Sequence, residues 1–151
     1  MSRPPPFEPS ELQGATTTRF SHPRQVRFQD VDAAGTAFYP RIIEAFSDVY
    51  LALLAARGVD LPALFRAPSW AAPLVHAEAD FLGPMRFGDR FDAEVVAAKV
   101  GSTSFSVGYR LRAEGGGRAL AVGHTVHVVV DATTFRPTAV PDDVRRALTA
   151  G

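Results

Sequence analysis

The hydrophobic residues of the chain follow two different periods, one before residue 74 and one after it. Between residues 39 and 58, apolar residues recur at spacings of three and four, which predicts a long amphipathic helix with a wide apolar face. Pro40 suits the first turn of this helix, where a missing N–H costs nothing, and Arg57-Gly58 is typical of a helix end. The apolar face consists of Ile42, Ile43, Phe46, Val49, Tyr50, Leu53 and Leu54.

From residue 74 onward, apolar and polar residues alternate, as they do in the half-buried strands of an antiparallel sheet. Short glycine-containing turns separate the alternating segments. One long helix and about five antiparallel strands indicate an α+β fold, in which a curved sheet wraps around a central helix. The predicted strands are Thr18–Gln29, Leu74–Leu82, Asp89–Val100, Thr103–Arg112 and Arg118–Asp131.

The 151 residues are enough for one domain with one sizeable core. Residues 1–18 are rich in Pro, Ser, Thr and Glu and show no period, so they are predicted to form a disordered or loosely packed N-terminal arm. Residues 19–151 are predicted to form a single domain, which includes short helices at Leu61–Phe65 and Val140–Leu148.

Composition excludes several classes of function. Lys and Arg together number 16, as do Asp and Glu, so net charge does not favour a nucleic-acid or membrane-surface partner. No apolar run reaches the roughly 18–20 residues that a membrane span needs, and the N-terminus lacks the apolar region of a signal peptide. We therefore expect a cytoplasmic protein. The absence of cysteine excludes thiolate nucleophiles, disulfides and cysteine-ligated metals.

An acidic turn immediately precedes the predicted long helix. Asp32 lies seven residues before Tyr39, and a helix N-terminus presents unpaired N–H groups that can stabilise an oxygen gaining negative charge. A carboxylate beside such amides can attack a carbonyl carbon or activate a water molecule. Asp also commonly caps turns and helices, so the spacing alone leaves both roles open. Gly35 is expected to adopt a positive φ or to allow a close backbone approach.

The segment F-x-D-x-D-x-A-G-x-x-x-Y-P, from Phe28 to Pro40, resembles the hotdog-fold acyl-CoA thioesterases of the 4-hydroxybenzoyl-CoA thioesterase type. The resemblance continues more loosely to the C-terminus. It implies that Asp32 is the nucleophile or general base, and that the Tyr39 backbone amide, positioned by the turn at Gly35, is the oxyanion donor. It also implies a homo-oligomer, a dimer or a dimer of dimers, with active sites between subunits and no cofactor.

The resemblance further implies a second polarising amide in the loop before the strand at residue 74. The corresponding stretch contains Trp70 and Ala71 and departs from the family pattern, because a glycine is expected near Ala71. Phe38, Phe46 and Trp70 are predicted pocket residues, and these aromatic side chains favour an aromatic acyl group such as benzoyl, hydroxybenzoyl or dihydroxynaphthoyl. The predicted reaction hydrolyses an acyl-CoA to a free acid and CoA. A carrier-protein thioester and a catalytically silent acyl-CoA-binding module remain as alternatives.

Four histidines are candidates for further roles, and three of them lie on predicted strands after the helix. His76 is predicted to contact substrate, although a solvated or interface face of the sheet is the simpler role for it. His124 and His127 are three residues apart on one strand and therefore point to opposite faces, so we predict no metal site from this pair.

The remaining candidates are charged side chains. Glu44 and Asp48 lie four residues apart on the polar side of the helix and are predicted subunit contacts, with catalysis as the alternative. Five basic residues are candidates to meet the phosphates of CoA, although each is equally explained as an ordinary surface charge. They are Arg86, Arg90, Lys99, Arg110 and Arg112.

Overall fold

A five-stranded antiparallel sheet packs around one long helix in the computed structural model, which describes residues 4–151. The strand order is β1-β4-β5-β6-β3, and a second, two-stranded sheet pairs β2 with β7. The predicted α+β architecture is confirmed. The elements are α1 (Pro9–Gln13), β1 (Phe20–Gln25), α2 (Tyr39–Ala56), α3 (Leu61–Arg66), β2 (Trp70–Ala71), β3 (Leu74–Phe81), β4 (Arg90–Val100), β5 (Ser104–Ala113), β6 (Ala119–Val128), β7 (Val130–Asp131) and α4 (Asp142–Thr149).

The last predicted strand, Arg118–Asp131, is in fact two strands. Val129 leaves the ladder between β5 and β6, and its amide donates a hydrogen bond to the carbonyl of Thr103 (2.8 Å). β7 then pairs with β2 in the smaller sheet. The apolar run continues through this break because Val129 and Val130 are both buried, which explains why the sequence pattern does not reveal it.

Helix α2 lies against one face of the sheet, the inner face, to which Tyr109 and Gly123 belong. Phe46 of α2 is 0% exposed, and its ring stacks on that of Tyr109 at a centroid distance of 4.8 Å. A Cβ atom on Gly123 would lie 2.6 Å from the Phe46 ring and 2.2 Å from the Glu78 carbonyl oxygen. The absence of a side chain at residue 123 therefore allows helix and sheet to approach closely.

A chain of buried polar groups crosses the same core. The hydroxyl groups of Tyr109 and Thr125 are 2.7 Å apart, and Thr125 Oγ1 lies 3.1 Å from His127 Nε2. The other ring nitrogen, His127 Nδ1, lies 3.2 Å from the carbonyl oxygen of Ala72, in the loop before β3. Burial lowers the pKa of His127, and its bond to the Ala72 carbonyl opposes this effect only in part.

The lowered pKa of His127 makes folding stability depend on pH. The unfolded chain binds a proton at His127 more readily than the folded protein does. The contribution of neutral His127 to the free energy of unfolding is therefore fully present above about pH 6.5, and it is lost as the pH drops toward the lower pKa that His127 has in the folded protein. We expect the melting temperature to decrease between pH 7 and pH 5, and to decrease less steeply in His127→Gln. His22→Ala, a change at an exposed histidine, should keep the wild-type slope. An unchanged slope in His127→Gln would contradict this prediction.

The N-terminal arm packs on the opposite face of the sheet, the outer face, to which Gly108, Val122 and His124 belong. Phe7 and Leu12 of the arm are 2% and 1% exposed, respectively. A Cβ atom on Gly108 would lie 2.5 Å from Leu12, so the missing side chain leaves room for the arm. Phe7 and Leu12 of the predicted arm therefore pack on the sheet, while most of residues 4–18 are exposed, and residues 1–3 lie outside the described residues.

Hydrogen bonds hold the arm in place. The Arg110 guanidinium donates to the carbonyl oxygens of Gln13 (3.1 Å) and Ala15 (2.8 Å) and forms a buried ion pair with Glu94 (2.6 Å). Lys99 Nζ donates to the Pro6 carbonyl and lies over the Phe7 ring. Two apolar residues in an otherwise polar segment, together with these backbone acceptors, attach the arm without any periodic pattern. None of the helices in residues 4–151 has the length and apolar character needed to cross a membrane.

Candidate active site

The loop between β1 and α2 folds back on itself just before the helix begins. Val31 and Ala37 form an antiparallel bridge, and the Phe38 amide donates to the carbonyl oxygen of Asp30 (2.8 Å). These contacts close residues 31–37 into a narrow loop whose last residue leads directly into α2. The acidic turn and the helix N-terminus, which the sequence places seven residues apart, are thereby joined through this one loop.

Asp30 anchors the loop and does not face the solvent. Its carboxylate accepts hydrogen bonds from the Arg27 amide (2.8 Å) and from the Arg27 guanidinium (3.2 and 3.1 Å). Burial alone would raise the pKa of Asp30, but the Arg27 hydrogen bonds and charge outweigh burial and hold that pKa below its ordinary value. Asp30 thus has a structural role in this loop.

Asp32 is exposed and has one carboxylate oxygen available. Its Oδ1 accepts a hydrogen bond from the Ala34 amide (2.9 Å), which is a typical turn cap. Its Oδ2 makes no hydrogen bond to any group in residues 4–151. The side chain is therefore oriented by the turn through one oxygen, while the other is free to act on a bound molecule.

Gly35 adopts the conformation that the sequence predicts. Its φ is +78°, in the region that favours glycine, and its amide donates to the Asp32 carbonyl oxygen (3.0 Å). The Asp32 amide in turn donates to the Thr36 carbonyl oxygen (3.0 Å). The backbone of this tight turn therefore fixes the position of Asp32.

The N-terminus of α2 offers one free amide among residues 38–40. The Phe38 amide is occupied by the Asp30 carbonyl, and Pro40 has no N–H. The Tyr39 amide makes no hydrogen bond within the described part of the chain, as expected at the first position of a helix. Tyr39 is thus the one remaining candidate donor for an oxyanion among these three residues.

A surface cavity of about 380 Å³, here called the helix-start cavity, lies beside this amide. It lies between the first turn of α2, the end of β3 and the turn that follows β3. Its rim is rich in exposed apolar side chains, since Tyr39 is 62% and Phe81 53% exposed. The lining residues are Thr36, Ala37, Tyr39, Ile42, Phe81, Leu82, Gly83, Pro84 and Met85.

The predicted residues Trp70 and Ala71 lie elsewhere in the protomer. They line a second cavity of about 350 Å³, here called the Trp70 cavity, whose wall is almost entirely apolar. This wall includes Tyr50 and Leu54 of α2, which are 11 and 15 residues beyond Tyr39, or about 16–22 Å along the helix axis. Within one protomer, the Trp70 cavity is therefore separate from the helix-start cavity.

Two other predicted substrate contacts do not face either cavity. Phe46 is buried in the core against Tyr109, because the apolar face of α2 that contains it packs on the sheet. His76 lies on the outer face, beside Glu78 and His124, because its strand parity is opposite to that of the core residue Ala79. Within one protomer neither residue lies at the helix start, and the substrate contacts of Phe46 and His76 stay predictions, whereas Phe38 is 46% exposed next to Tyr39.

Most of the predicted charged contacts are occupied within the protomer. Glu44 pairs with Arg41 (2.9 Å) and Asp48 with Arg24 (2.6 Å). Arg110 and Arg112 both bind Glu94 on the outer face, and Lys99 holds the arm, so these three are not free for CoA phosphates. Arg86 is not among these paired residues. Its backbone forms a bridge with Thr36 beside the helix-start cavity.

One wall of the helix-start cavity was not predicted from the sequence. It consists of the end of β3 and the turn that follows β3. Phe81, Leu82 and Met85 read simply as strand and turn residues. Their position next to the helix start depends on the bridge between Thr36 and Arg86, which links two segments about 50 residues apart. The only available signal is the pair of apolar residues placed directly before the Gly83-Pro84 turn.

The sequence of the chain matches that of a known family. Residues 26–148 match the family model described as the thioesterase-like superfamily. The chain belongs to this superfamily and is a thioester hydrolase of the hotdog fold.

Several relatives of the chain are named for a more specific activity than the superfamily is. A 1,4-dihydroxy-2-naphthoyl-CoA hydrolase from Nostoc punctiforme is 34% identical over 125 residues, which is 83% of each chain. The hydrolase of the same name from Synechococcus elongatus is 32% identical over 120 residues, which cover 79% of this chain and 87% of that one.

Solved structures of thioesterases also superpose on this chain. The crystal structure of a 1,4-dihydroxy-2-naphthoyl-CoA thioesterase from Synechocystis superposes with a TM-score of 0.80 at 25% identity, covering 85% of this chain and 94% of that chain. A gentisyl-coenzyme A thioesterase superposes with a TM-score of 0.75 at 26% identity, covering 85% of this chain and 98% of that chain. The acyl groups for which these two thioesterases are named are both aromatic.

Proposed function

We propose that the protein hydrolyses an aromatic acyl-CoA thioester to the free acid and CoA. The observation that carries the proposal is the junction of loop and helix, where the closed loop that holds Asp32, with its free Oδ2, leads to the unpaired Tyr39 amide at the start of α2. Relatives and structural neighbours named for dihydroxynaphthoyl-CoA and gentisyl-CoA support the aromatic acyl group.

In the proposed mechanism, the thioester carbonyl oxygen accepts a hydrogen bond from the Tyr39 amide at the positive end of the α2 dipole. Asp32 either attacks the carbonyl carbon or removes a proton from an attacking water molecule. When Asp32 attacks, the C–S bond breaks, CoA leaves as a thiolate that takes up a proton, and water then hydrolyses the acyl–Asp32 anhydride to the free acid and the Asp32 carboxylate. When Asp32 acts as a base, the water oxygen adds directly to the acyl carbon, the C–S bond breaks, and CoA leaves as a thiolate that takes up a proton. Arg86 is proposed to meet a phosphate of CoA.

The test is a panel of thioesters assayed with a thiol reagent. Dihydroxynaphthoyl-CoA, hydroxybenzoyl-CoA and benzoyl-CoA are expected to release CoA with a higher kcat/KM than cyclohexanecarbonyl-CoA, which matches benzoyl-CoA in ring size but lacks aromaticity. Hydrolysis of the same acyl groups only from an acyl carrier protein would replace CoA by a carrier protein in the proposal. Measurable binding without release of any thiol would indicate a catalytically silent binding module.

The proposal includes a dimer formed through β3. Within residues 4–151, β3 pairs only with β6, and an open strand edge favours pairing with a second chain. Phe81 at the end of β3 lines the helix-start cavity, while Pro73 just before β3 lines the Trp70 cavity. Antiparallel pairing of two β3 strands about a twofold axis brings the helix-start cavity of one protomer beside the Trp70 cavity of its partner. In this arrangement, Tyr39 of one protomer comes close to the predicted substrate contacts Trp70 and Ala71 of the partner subunit.

We therefore expect light scattering at micromolar concentration to give the mass of a dimer or of a dimer of dimers. Burial of the apolar side chains along β3, such as Leu74, Val75 and Phe81, favours this association. A strict monomer with full hydrolase activity would remove the shared site from the proposal.

A further inference from the structure

Three potential metal ligands lie together on the outer face of the sheet, away from α2. His76 and Glu78 are two residues apart on β3, so their side chains share this face. His124 lies directly opposite Glu78 on β6. The sequence predicts no metal site from His124 and His127, and their side chains do lie on opposite faces. The neighbours of His124 come instead from the adjacent strand, which a search along one strand cannot identify.

The distances fit a small divalent ion. His76 Nε2 lies 3.3 Å from Glu78 Oε2, and His124 Nδ1 lies 3.2 Å from Glu78 Oε1. All three ligand atoms lie within 4.8 Å of one another. Ligand atoms of a tetrahedral site are about 3.3–3.4 Å apart when each metal–ligand distance is about 2.0–2.1 Å. The carboxylate lies between the two imidazoles and contacts each of them through a different oxygen, so binding of one ion requires the half-exposed side chains of His76 and Glu78 to adjust.

Burial and packing orient one of these ligands in advance. His124 is 1% exposed, with its ring against the edge of Phe7 at 6.2 Å and stacked with His76 at 5.3 Å. Its Nε2 has no hydrogen-bond partner within residues 4–151, so the contact with Glu78 is the only polar contact of this side chain there. His76 and Glu78 are about half exposed, which lets an ion enter from solvent and lets both side chains adjust.

The geometry points to a binding site for a divalent first-row transition metal ion, formed by His76 Nε2, the Glu78 carboxylate and His124 Nδ1. Two imidazoles and one carboxylate suit Zn²⁺ and its neighbours, and a solvent molecule completes the tetrahedron. The site lies on the face of the sheet opposite Tyr39, so its role is to fasten the edge strand β3 to β6 and not to take part in hydrolysis.

Zn²⁺ and Co²⁺ are the probes for this site. Untagged protein should bind one Zn²⁺ per chain in equilibrium dialysis, and saturating Zn²⁺ should raise the melting temperature, because an ion that binds only the folded state stabilises it. Co²⁺ should give the intense visible absorption of a tetrahedral complex, which Zn²⁺ then abolishes. No saturable binding up to about 1 mM Zn²⁺ would overturn the proposal.

Variants of the half-exposed ligands give the decisive comparison, because they spare the buried His124. His76→Ala and Glu78→Gln should each weaken Zn²⁺ binding at least about tenfold and remove the Co²⁺ spectrum. The matched control is His22→Ala, which removes an exposed histidine of β1 and should bind Zn²⁺ like the wild type. Equal affinity in His76→Ala and wild type, or an equal loss in His22→Ala, would show adventitious binding and overturn the proposed site.

Discussion

Replacement of Asp32 by Asn is expected to lower kcat by about 10²–10⁴-fold, because an amide can neither attack the thioester nor accept a proton from water. The turn should survive, since the Asn side-chain oxygen can accept the same hydrogen bond from the Ala34 amide that Asp32 Oδ1 accepts. Binding of acyl-CoA should change little. Turnover with the best thioester of the panel, together with binding of a non-hydrolysable analogue, measures the two effects separately.

Asp48→Asn is the matched control for Asp32→Asn. Asp48 is an exposed carboxylate on α2 that pairs with Arg24, so this change also removes one negative charge from an acidic side chain. It should leave kcat near the wild-type value. If Asp32→Asn retained normal turnover, the assignment of Asp32 would be wrong. A loss in Glu44→Gln or Asp48→Asn would then move the chemistry to the helix carboxylates.

Removal of the Tyr39 amide is expected to cost about 10²–10³-fold in kcat, the usual effect of losing one oxyanion donor. Tyr39→Pro removes this N–H, and the structure accommodates the change. The amide makes no hydrogen bond, and Phe38 has φ −65° and ψ 128°, the extended conformation that a residue before proline prefers. Tyr39→Phe keeps the amide and the ring and should retain most of the activity.

The comparison of these two variants separates backbone from side chain, provided that circular dichroism shows both to be folded. Ordinary turnover in folded Tyr39→Pro would exclude the amide as the oxyanion donor. An inactive Tyr39→Phe would instead give the phenol a part in the reaction.

Features with a local cause were predictable from the sequence. The period of α2 follows from burial on one face, the alternation of Ser104–Val107 follows from burial of Phe105 and Val107, and the positive φ of Gly35 follows from the turn. The opposite directions of His124 and His127 follow from strand parity alone. Each of these predictions needs only neighbouring residues, and each is confirmed.

Features that depend on distant residues were not predictable in the same way. An apolar face shows that Phe46 is buried, but not whether a cavity or Tyr109 covers it. Charge does not show that Arg110 is held by Glu94 and by carbonyl groups of the arm. The placement of Trp70 far from Tyr39 within a protomer depends on chain topology, which no local pattern encodes.

The N-terminal arm restricts how the proposed dimer can assemble into larger oligomers. Phe7 and Leu12 already occupy the part of the outer face near Gly108 and Val122. Because the arm is tethered to the sheet that it covers, its effective local concentration is of the order of millimolar, far above that of any second sheet in dilute solution. A competing sheet would have to displace the arm from its own chain. The arm therefore disfavours tetramers that stack two sheets over this region, and we expect any further assembly of the proposed dimer to use other surfaces.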